Sequence, residues 1–459
     1  MYVSFFLLGI AMVWDNSVWL IFIALLPLIA YLPHINKSSS RQVFKDFYFA
    51  GFILCGFANL FLFQVAPENW TIQLNGWFGI VSRFMSWVFI CSLCAVSYGL
   101  LGFVLKKTRN NLVKLLLLPF LFPIAELIRS YLFALMAYGP HGSLSPNFNW
   151  GSISVPASGT PLVYTSRMFG FFGLSFFVVL INISLYLLLF KRRVLVPILT
   201  LGIVLSFTLI GWSLGEQTTS KTIRVAAVHM NEESDMTSVD RINWPPEGTD
   251  ILVLPEYSAI LKYKNYKQML KQLTKNGVAI TTIDTGRSPR ATNRIVYLNR
   301  NGEIINSQDK TFLIPTGEYV PYSLQLGFRA IGKSSALVDF RYSQQLVPGT
   351  EPEKPFETNG GISIGALACS GVSALNEYTG MTNSGAEILT NSASLAFLQP
   401  NSLYHTYARN MARFQTVSNN RPFVQASRSG QSYILDNQGR SLAESSGQND
   451  QIISGLLQY

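Results

Sequence analysis

Seven apolar segments occupy most of the first 213 residues, near positions 2–14, 17–33, 46–64, 80–105, 113–136, 168–190 and 194–213. A helix needs about 20 mainly apolar residues to cross the hydrocarbon core of a bilayer. All but the first segment reach or approach that length, and in lipid only a helix satisfies its own backbone within one segment. The first is short enough for a half-span or re-entrant piece. It carries no leading basic residue and no small-residue cleavage site, so a removed signal peptide is not expected.

Charge gives the segments a direction. Lys37, Arg41 and Lys45 follow the second segment, Lys106, Lys107, Arg109 and Lys114 the fourth, and Lys191, Arg192 and Arg193 the sixth. The alternate loops (Asp15-Asn16, Pro67–Asn75 and Tyr138–Thr165) hold almost no basic charge, with Arg83 and Arg167 as exceptions near segment ends. Basic loops stay cytoplasmic. The N-terminus is therefore expected inside, and an odd number of spans puts Lys221–Tyr459 outside. Acidic and basic residues nearly balance after Lys221, so the net charge of +10 reflects membrane topology. No nucleic-acid partner is expected.

Hydrophobic residues make up 49% of the chain and charged ones 13%, which suits an integral membrane protein. From about Lys221 the sequence reads as an ordinary globular domain. The expected organisation is a membrane domain of about seven transmembrane helices over 1–213, a linker over 214–221 and an extramembrane domain over 222–459. Cys55, Cys91 and Cys94 all fall in apolar segments. The Cys91 and Cys94 spacing matches a redox or zinc pair, but no second pair or histidine lies near it, which favours small core residues. With Cys369 unpaired, the extramembrane domain has no disulfide framework.

Glu126 and Arg129 fall inside the fifth segment. Three residues apart on a helix, they share a face and can pair. One reading is a structural ion pair facing the bundle interior. The other is a lipid headgroup site, since charges within a membrane are often functional. The loop from Tyr138 to Arg167, rich in Gly, Pro, Ser and aromatics, would suit the lip of a lipid entrance or a cover for the bundle.

Beyond Lys221, short apolar runs alternate with polar helical stretches. IRVAAVHM (223–230), DILVLPE (250–256), VAITTIDT (278–285), NRIVYLN (293–299), ISIGALAC (362–369), AEILTNS (386–392), PFVQAS (422–427) and QSYILDNQG (431–439) read as strands. Lys262–Asn276 and Tyr404–Ser418 read as helices, the second with Ala408, Met411, Ala412 and Gln415 on one stripe. The pattern implies an α/β domain with buried sheets and outer helices. Glu256 ends one apolar run, Cys369 ends another, and Lys310 opens KTFLIPTGEYVP. A carboxylate, an amine and a thiol at strand ends are the parts of an activated thiol nucleophile. Behind a membrane domain, they point to acyl chemistry at a membrane surface. His229 and His405 fit packing or hydrogen-bonding roles, and no metal-ligand spacing surrounds them.

Glu256, Lys310 and Cys369, in that order and each at a strand end, resemble the Glu–Lys–Cys signature of the nitrilase, or carbon–nitrogen hydrolase, superfamily. GEYVP at 317–321, ELIRS in the fifth segment, FFGLSFFVVLINISLYLL in the sixth and the ARNMARFQ, NNRPFVQAS and QSYILDNQG stretches are similar to the apolipoprotein N-acyltransferase family. The resemblance implies a polytopic α-helical membrane domain followed by an α/β nitrilase-like domain, an α-β-β-α sandwich. It implies a bacterial inner-membrane enzyme with a cytoplasmic N-terminus and a periplasmic catalytic domain, acting as a monomer with no cofactor or metal. Cys369 would take an acyl chain from a phospholipid as a thioester and pass it to the amine of a diacylated apolipoprotein. Glu256 would be the base, Lys310 the oxyanion's cation, and Glu318 a support for the site or an orienter of the amine.

The resemblance breaks near the nucleophile. Ser370-Gly371 stands where the family has Tyr-Glu, and Asn391-Ser392-Ala393-Ser394-Leu395-Ala396 where it has Asn-Asp-x-Trp-Phe-Gly. Trp244 alone is available for a tryptophan expected after the first strand. The closing IISGLLQY is too short to span, where a final membrane helix is expected. Two alternatives therefore stand beside the acyltransferase: a membrane-tethered nitrilase-like amidase, and a non-catalytic relative that binds lipid or lipoprotein.

Overall fold

The computed structural model describes residues 1–65, 76–215, 221–231, 244–258, 266–398, 402–447 and 449–459. The loop expected at Pro67–Asn75, linker residues 216–220 and the start of the helix expected from Lys262 lie outside the described residues.

The first half is helical: α1 Tyr2–Val13, α2 Leu26–Tyr31, α3 Ser40–Ala58, α4 Gly76–Lys107, α5 Asn111–Met136, α6 Ser154–Ser158, α7 Ser166–Lys191 and α8 Leu195–Ser213. Side chains start two of the long helices. Ser39 caps α3 by accepting from the Gln42 amide, and Asn110 caps α5 by accepting from Leu112. Gly170 interrupts α7 at φ 65°, a left-handed value that glycine takes without a Cβ penalty. Six apolar helical stretches among the described residues are long enough to span: Asn16–Lys37, Ser40–Gln64, Gly79–Lys107, Asn111–Met136, Pro161–Lys191 and Leu195–Ser213. Tyr2–Val13, with 12 residues, is shorter, as expected for a half-span.

The second half is α/β. Its strands are β1 Thr222–Met230, β2 Thr249–Val253, β3 Leu273–Thr285, β4 Thr292–Leu298, β5 Ile304–Asp309, β6 Phe356–Glu357, β7 Ser363–Ala368, β8 Ile388–Ser394, β9 Phe423–Arg428, β10 Tyr433–Leu435, β11 Ser441–Glu444 and β12 Gln451–Gln458. They pair in the order β5-β4-β3-β2-β1-β9-β8-β7-β6, with β10 on β9 and β12 on β1. This ribbon doubles over at the β1–β9 seam. Val225, Ala227, Ile251, Val253 and Ile280 share one buried cluster with Ile364, Ala366, Val424 and Ala426 from the other half. Their chain neighbours Ala226, Val228, Leu252 and Leu254 face the opposite way, against Met269 and Leu270 of α9 (Tyr266–Leu270). Alternating direction along a strand thus lets one set of apolar runs fill two layers.

After α10 (Tyr322–Ala330) and α11 (Ser334–Ser343), the outer face of the second half-sheet lies under α12 (Glu377–Asn383) and α13 (Leu403–Asn419). Leu367, Leu389 and Phe423 pack there with Tyr378, Met381 and Met411. The same cluster continues into the membrane half, where Phe171 of α7 meets Phe414 at 5.1 Å and Trp150, in the loop after α5, meets Tyr407 at 6.1 Å. The architecture is the expected α-β-β-α sandwich, docked on the bundle through its α13 side.

One sequence expectation changes, and the closing segment takes a structure that its length alone does not specify. Lys262–Asn276 does not continue as one helix: α9 ends at Leu270, and β3 begins at Leu273, pairing parallel with Thr249 of β2 before a register shift. The closing IISGLLQY forms β12, antiparallel to β1 from Thr222↔Gln458 to His229↔Gln451. Its burial pattern, with Ile453 and Leu457 turned inward, fits a strand.

Candidate active site

Four of the expected residues meet where strand ends open towards the bundle. Glu256 lies three residues past β2. Its amide donates to the Ala393 carbonyl at 3.2 Å, which ties the two half-sheets together at this point. Tyr257, next in the chain, sits at φ 51° with its amide on Thr282 Oγ1 at 3.0 Å, turning the chain sharply and leaving the Glu256 side chain inside. Lys310 directly follows β5, its amide held by the Asn293 carbonyl at 2.8 Å. Cys369 directly follows β7 at φ 45°. A left-handed conformation is unusual for a residue with a Cβ and needs surrounding structure to hold it. Ser370 Oγ donates to the Phe312 carbonyl at 2.8 Å, and Asn391 Nδ2 donates to the Cys369 carbonyl at 3.3 Å, pinning the turn on both sides.

The side chains form one network. Lys310 Nζ lies 2.8 Å from Glu318 Oε1 and 3.5 Å from Glu256 Oε1. Asn293 Nδ2 donates to Glu256 Oε1 at 2.6 Å and reaches Glu318 Oε1 at 3.4 Å. Glu318 Oε2 accepts the Ile314 amide at 2.8 Å, so GEYVP folds back on the loop that precedes it. The Cys369 thiol reaches the Ser394 carbonyl at 3.5 Å and lies near enough to Glu256 for each to shift the other's proton affinity. Glu256, Lys310 and Glu318 are all buried.

Burial sets the proton affinities. It raises the Glu256 carboxyl above its ordinary value; Lys310 opposes the rise and Glu318 adds to it. Burial alone would lower Lys310, but Glu318 and Glu256 outweigh it and hold the ammonium well above the usual lysine value. Burial, then the nearby Glu256 charge, pushes the Cys369 thiol up, against the pull of Lys310. At rest the site holds a protonated thiol beside a carboxylate of raised basicity and a fixed cation. The raised carboxyl favours proton transfer from the thiol, and the raised thiol opposes it, with Lys310 there to offset the thiolate's charge.

All four residues line a cavity of about 1310 Å³ whose far wall is membrane helix, including Phe61, Leu62, Phe89, Ile90 and Phe133. The cavity is therefore shared by the two halves of the chain, with the polar network on one side and apolar side chains on the other.

Glu126 and Arg129 are elsewhere. Both are buried in α5, and neither lines this cavity. They do not pair with each other. Glu126 accepts from the Ile153 amide at 2.7 Å, from Ser152 Oγ at 2.9 Å and from Ser175 Oγ. Arg129 donates to the Trp150 carbonyl, and to Asn149 O and Ser130 Oγ at 3.2 Å each. Their role in this structure is to hold the 149–153 loop. Trp244 is 43% exposed and does not line the cavity. Among the described residues no cluster of His, Cys, Asp and Glu is arranged to hold a metal.

The sequence reading missed Asn293 and Tyr257. Asn293 opens a recognisable strand, but only the β4–β5 register, which sets Arg294 opposite Asp309, brings its amide between the two carboxylates. Tyr257 has no sequence signal beyond its place after Glu256.

Comparison with known proteins fits this geometry. Residues 6–184 match the apolipoprotein N-acyltransferase N-terminal domain, and residues 241–459 match carbon-nitrogen hydrolase. Apolipoprotein N-acyltransferases of Geobacter metallireducens and Allorhizobium ampelinum are 24% and 25% identical, over 64% and 76% of this chain. That of Rhizobium rhizogenes is 26% identical over 44% of it. The matches span 61%, 68% and 37% of those relatives' own length. Among solved structures, a carbon-nitrogen hydrolase from Helicobacter pylori is 16% identical, covering 52% of this chain and 89% of that one at a TM-score of 0.37. An amidase from Nesterenkonia sp. is 14% identical, covering 53% and 93% at 0.33. With one match on the helical half and the other on the α/β half, the chain belongs, as a divergent member, to the apolipoprotein N-acyltransferase family of the nitrilase superfamily.

Proposed function

We propose that this protein moves a fatty acyl chain from a phospholipid to the N-terminal amine of a diacylglyceryl-cysteine lipoprotein, through a thioester on Cys369. The observation that carries this reading is the cavity, in which a thiol, a carboxylate and an ammonium face a wall of membrane helices. A hydrolase of soluble amides has no use for such a wall.

In the first half-reaction Glu256 takes the Cys369 proton and the sulfur attacks the ester carbonyl. Lys310 offsets the charge on the tetrahedral oxygen. The C–O bond then breaks, Glu256 returns the proton to the departing oxygen, and a lysophospholipid leaves. In the second, Glu256 takes a proton from the incoming amine, the amine attacks the thioester carbonyl, and the C–S bond breaks. The proton returns to the sulfur, closing a ping-pong cycle. Glu318 holds Lys310 and buttresses the GEYVP loop.

The reading carries a membrane domain over 1–213, a linker over 214–221 and a catalytic domain over 222–459. Six spans from Asn16 put the basic ends at Lys37, Lys106-Lys107 and Lys191–Arg193 on one side, and Ser213 on the other. With basic ends cytoplasmic, the catalytic domain is periplasmic, however Tyr2–Val13 is seated.

The test is a reconstituted reaction of purified protein, acyl-labelled phospholipid and a diacylated lipopeptide. Triacylated peptide and lysophospholipid in equal amounts are expected. Free fatty acid with unmodified peptide would contradict transfer and favour a hydrolase, and no lipid turnover would favour a binding protein.

A further inference from the structure

The membrane wall of the cavity is graded along a single helix. Gly79, Ser82, Arg83, Ser86, Phe89 and Ile90 all line it. At spacings of three, four, seven, ten and eleven from Gly79 they form one face of α4. Its first turns are mainly small, hydroxylated or cationic, with Met85 the apolar exception, and its next are apolar. Arg83 and Ile90 are about 10 Å apart along the helix at 1.5 Å per residue. Lys106 and Lys107 end α4 at the opposite surface, so Arg83 lies at the end nearer the α/β domain. Among the described residues no ion pair engages Arg83. Across the cavity, Arg287 and Asp284 offer opposite charges, and Lys310 is matched by two carboxylates. Arg83 is thus, among the described residues, the one charge on the membrane wall.

An arginine near the end of a spanning helix can place its head in water or turn it to a ligand. Here it borders the cavity. Its planar fork suits a phosphate, and the apolar turns beneath suit acyl chains. We infer that Arg83 binds the phosphodiester of the lipid donor, setting the headgroup at the domain end of the cavity and the acyl chains along Phe89 and Ile90. This rests on the acyl-transfer reading above. It makes Arg83 a positioning residue for the first half-reaction alone, because the lipoprotein acceptor brings no phosphodiester.

The test measures acylation of Cys369 by phosphatidylglycerol in detergent micelles, and by a diacylglycerol with the same chains, which lacks only the phosphodiester headgroup. In Arg83→Gln the half-saturating phosphatidylglycerol concentration is expected to rise about 10–100-fold, the range for losing a hydrogen bond to a charged group. The change with diacylglycerol is expected to be at least about ten times smaller. Discharge of preformed thioester onto a diacylated lipopeptide keeps its rate, and Arg83→Lys recovers part of the loss by keeping charge without the fork. Equal losses on both donors, slowed discharge, or no change with phosphatidylglycerol overturns the inference. If Arg83→Gln does not fold, Arg83→Lys carries the same comparison. A wild-type protein that neither donor acylates overturns the acyl-transfer reading itself, and this inference with it.

Discussion

Two buried clusters of charge, one in each half of the molecule, are spent in opposite ways. Around Glu126 and Arg129, every partner is the protein's own: the Ile153 amide, three serine hydroxyls, and the Asn149 and Trp150 carbonyls. The loop they hold continues the closure, since Asn149 Nδ2 donates to the Ser373 carbonyl at 3.0 Å, close behind the nucleophile's turn. Around Glu256, Lys310 and Glu318, the charges also pair, but they border an open cavity and a thiol. A cluster closed on itself holds structure, whereas one left facing a cavity is available to a substrate. Both read as charges in apolar surroundings in the sequence, and only the partners tell them apart.

The largest effect expected on the open side comes from Glu256→Gln, which keeps the shape and removes the base. Turnover is expected to fall about 10²–10⁴-fold, while thermal unfolding stays close to that of the unaltered protein. A fall of less than tenfold in single-turnover acylation would assign the base elsewhere.

Arg129→Met makes the reverse test on the closed side. It strips the 149–150 carbonyls of their donor and leaves Glu126 with one fewer nearby cation, a loss of about 1–3 kcal/mol for each buried acceptor left unsatisfied. A lower unfolding midpoint in detergent is expected, with activity per folded molecule within about tenfold. A large fall in activity at unchanged stability would move Arg129 into the reacting site and erase the distinction between the clusters.

A smaller effect concerns pH. Glu256 must be ionised to accept the thiol proton, and its pKa is raised from 4.5. The acid limb of the rate profile is therefore expected above 4.5, with activity lost as pH falls through it. Because the Glu318 charge adds to the rise, Glu318→Gln is expected to move the limb to lower pH. A limb that moves up, or stays, would show that the two carboxylates are not coupled through Lys310. No alkaline loss from Lys310 is expected at its usual value of 10.5, because its paired carboxylates hold it higher.

Much of this was legible before the fold. The apolar segments needed only length, and most strands only an apolar run bounded by turn residues. Lys262–Asn276 misled because Leu273–Gly277 is polar enough for a surface helix, while its strand state depends on pairing with β2. The β5, β6 and β11 strands carry too few apolar residues to stand out, and pairing with neighbours makes them strands. Glu256, Lys310 and Cys369 were visible because each stands beside a strand end. Asn293 and the Ser394 carbonyl join them only through register and a turn, which no local spacing encodes. Glu126 and Arg129 show the complementary limit. Their separation allowed a pair, yet loop groups 20 or more residues away took their hydrogen bonds.

The central claim is that Cys369 carries the acyl group between the two lipids, and intact-protein mass spectrometry tests it directly. Purified protein and its Cys369→Ala variant are incubated with phospholipid, then with a diacylated lipopeptide. A mass gain of one acyl chain is expected on the unaltered protein, none on the variant, and loss of that gain when the lipopeptide is added. A gain that persists in Cys369→Ala, or one that disappears equally fast without lipopeptide, would contradict it.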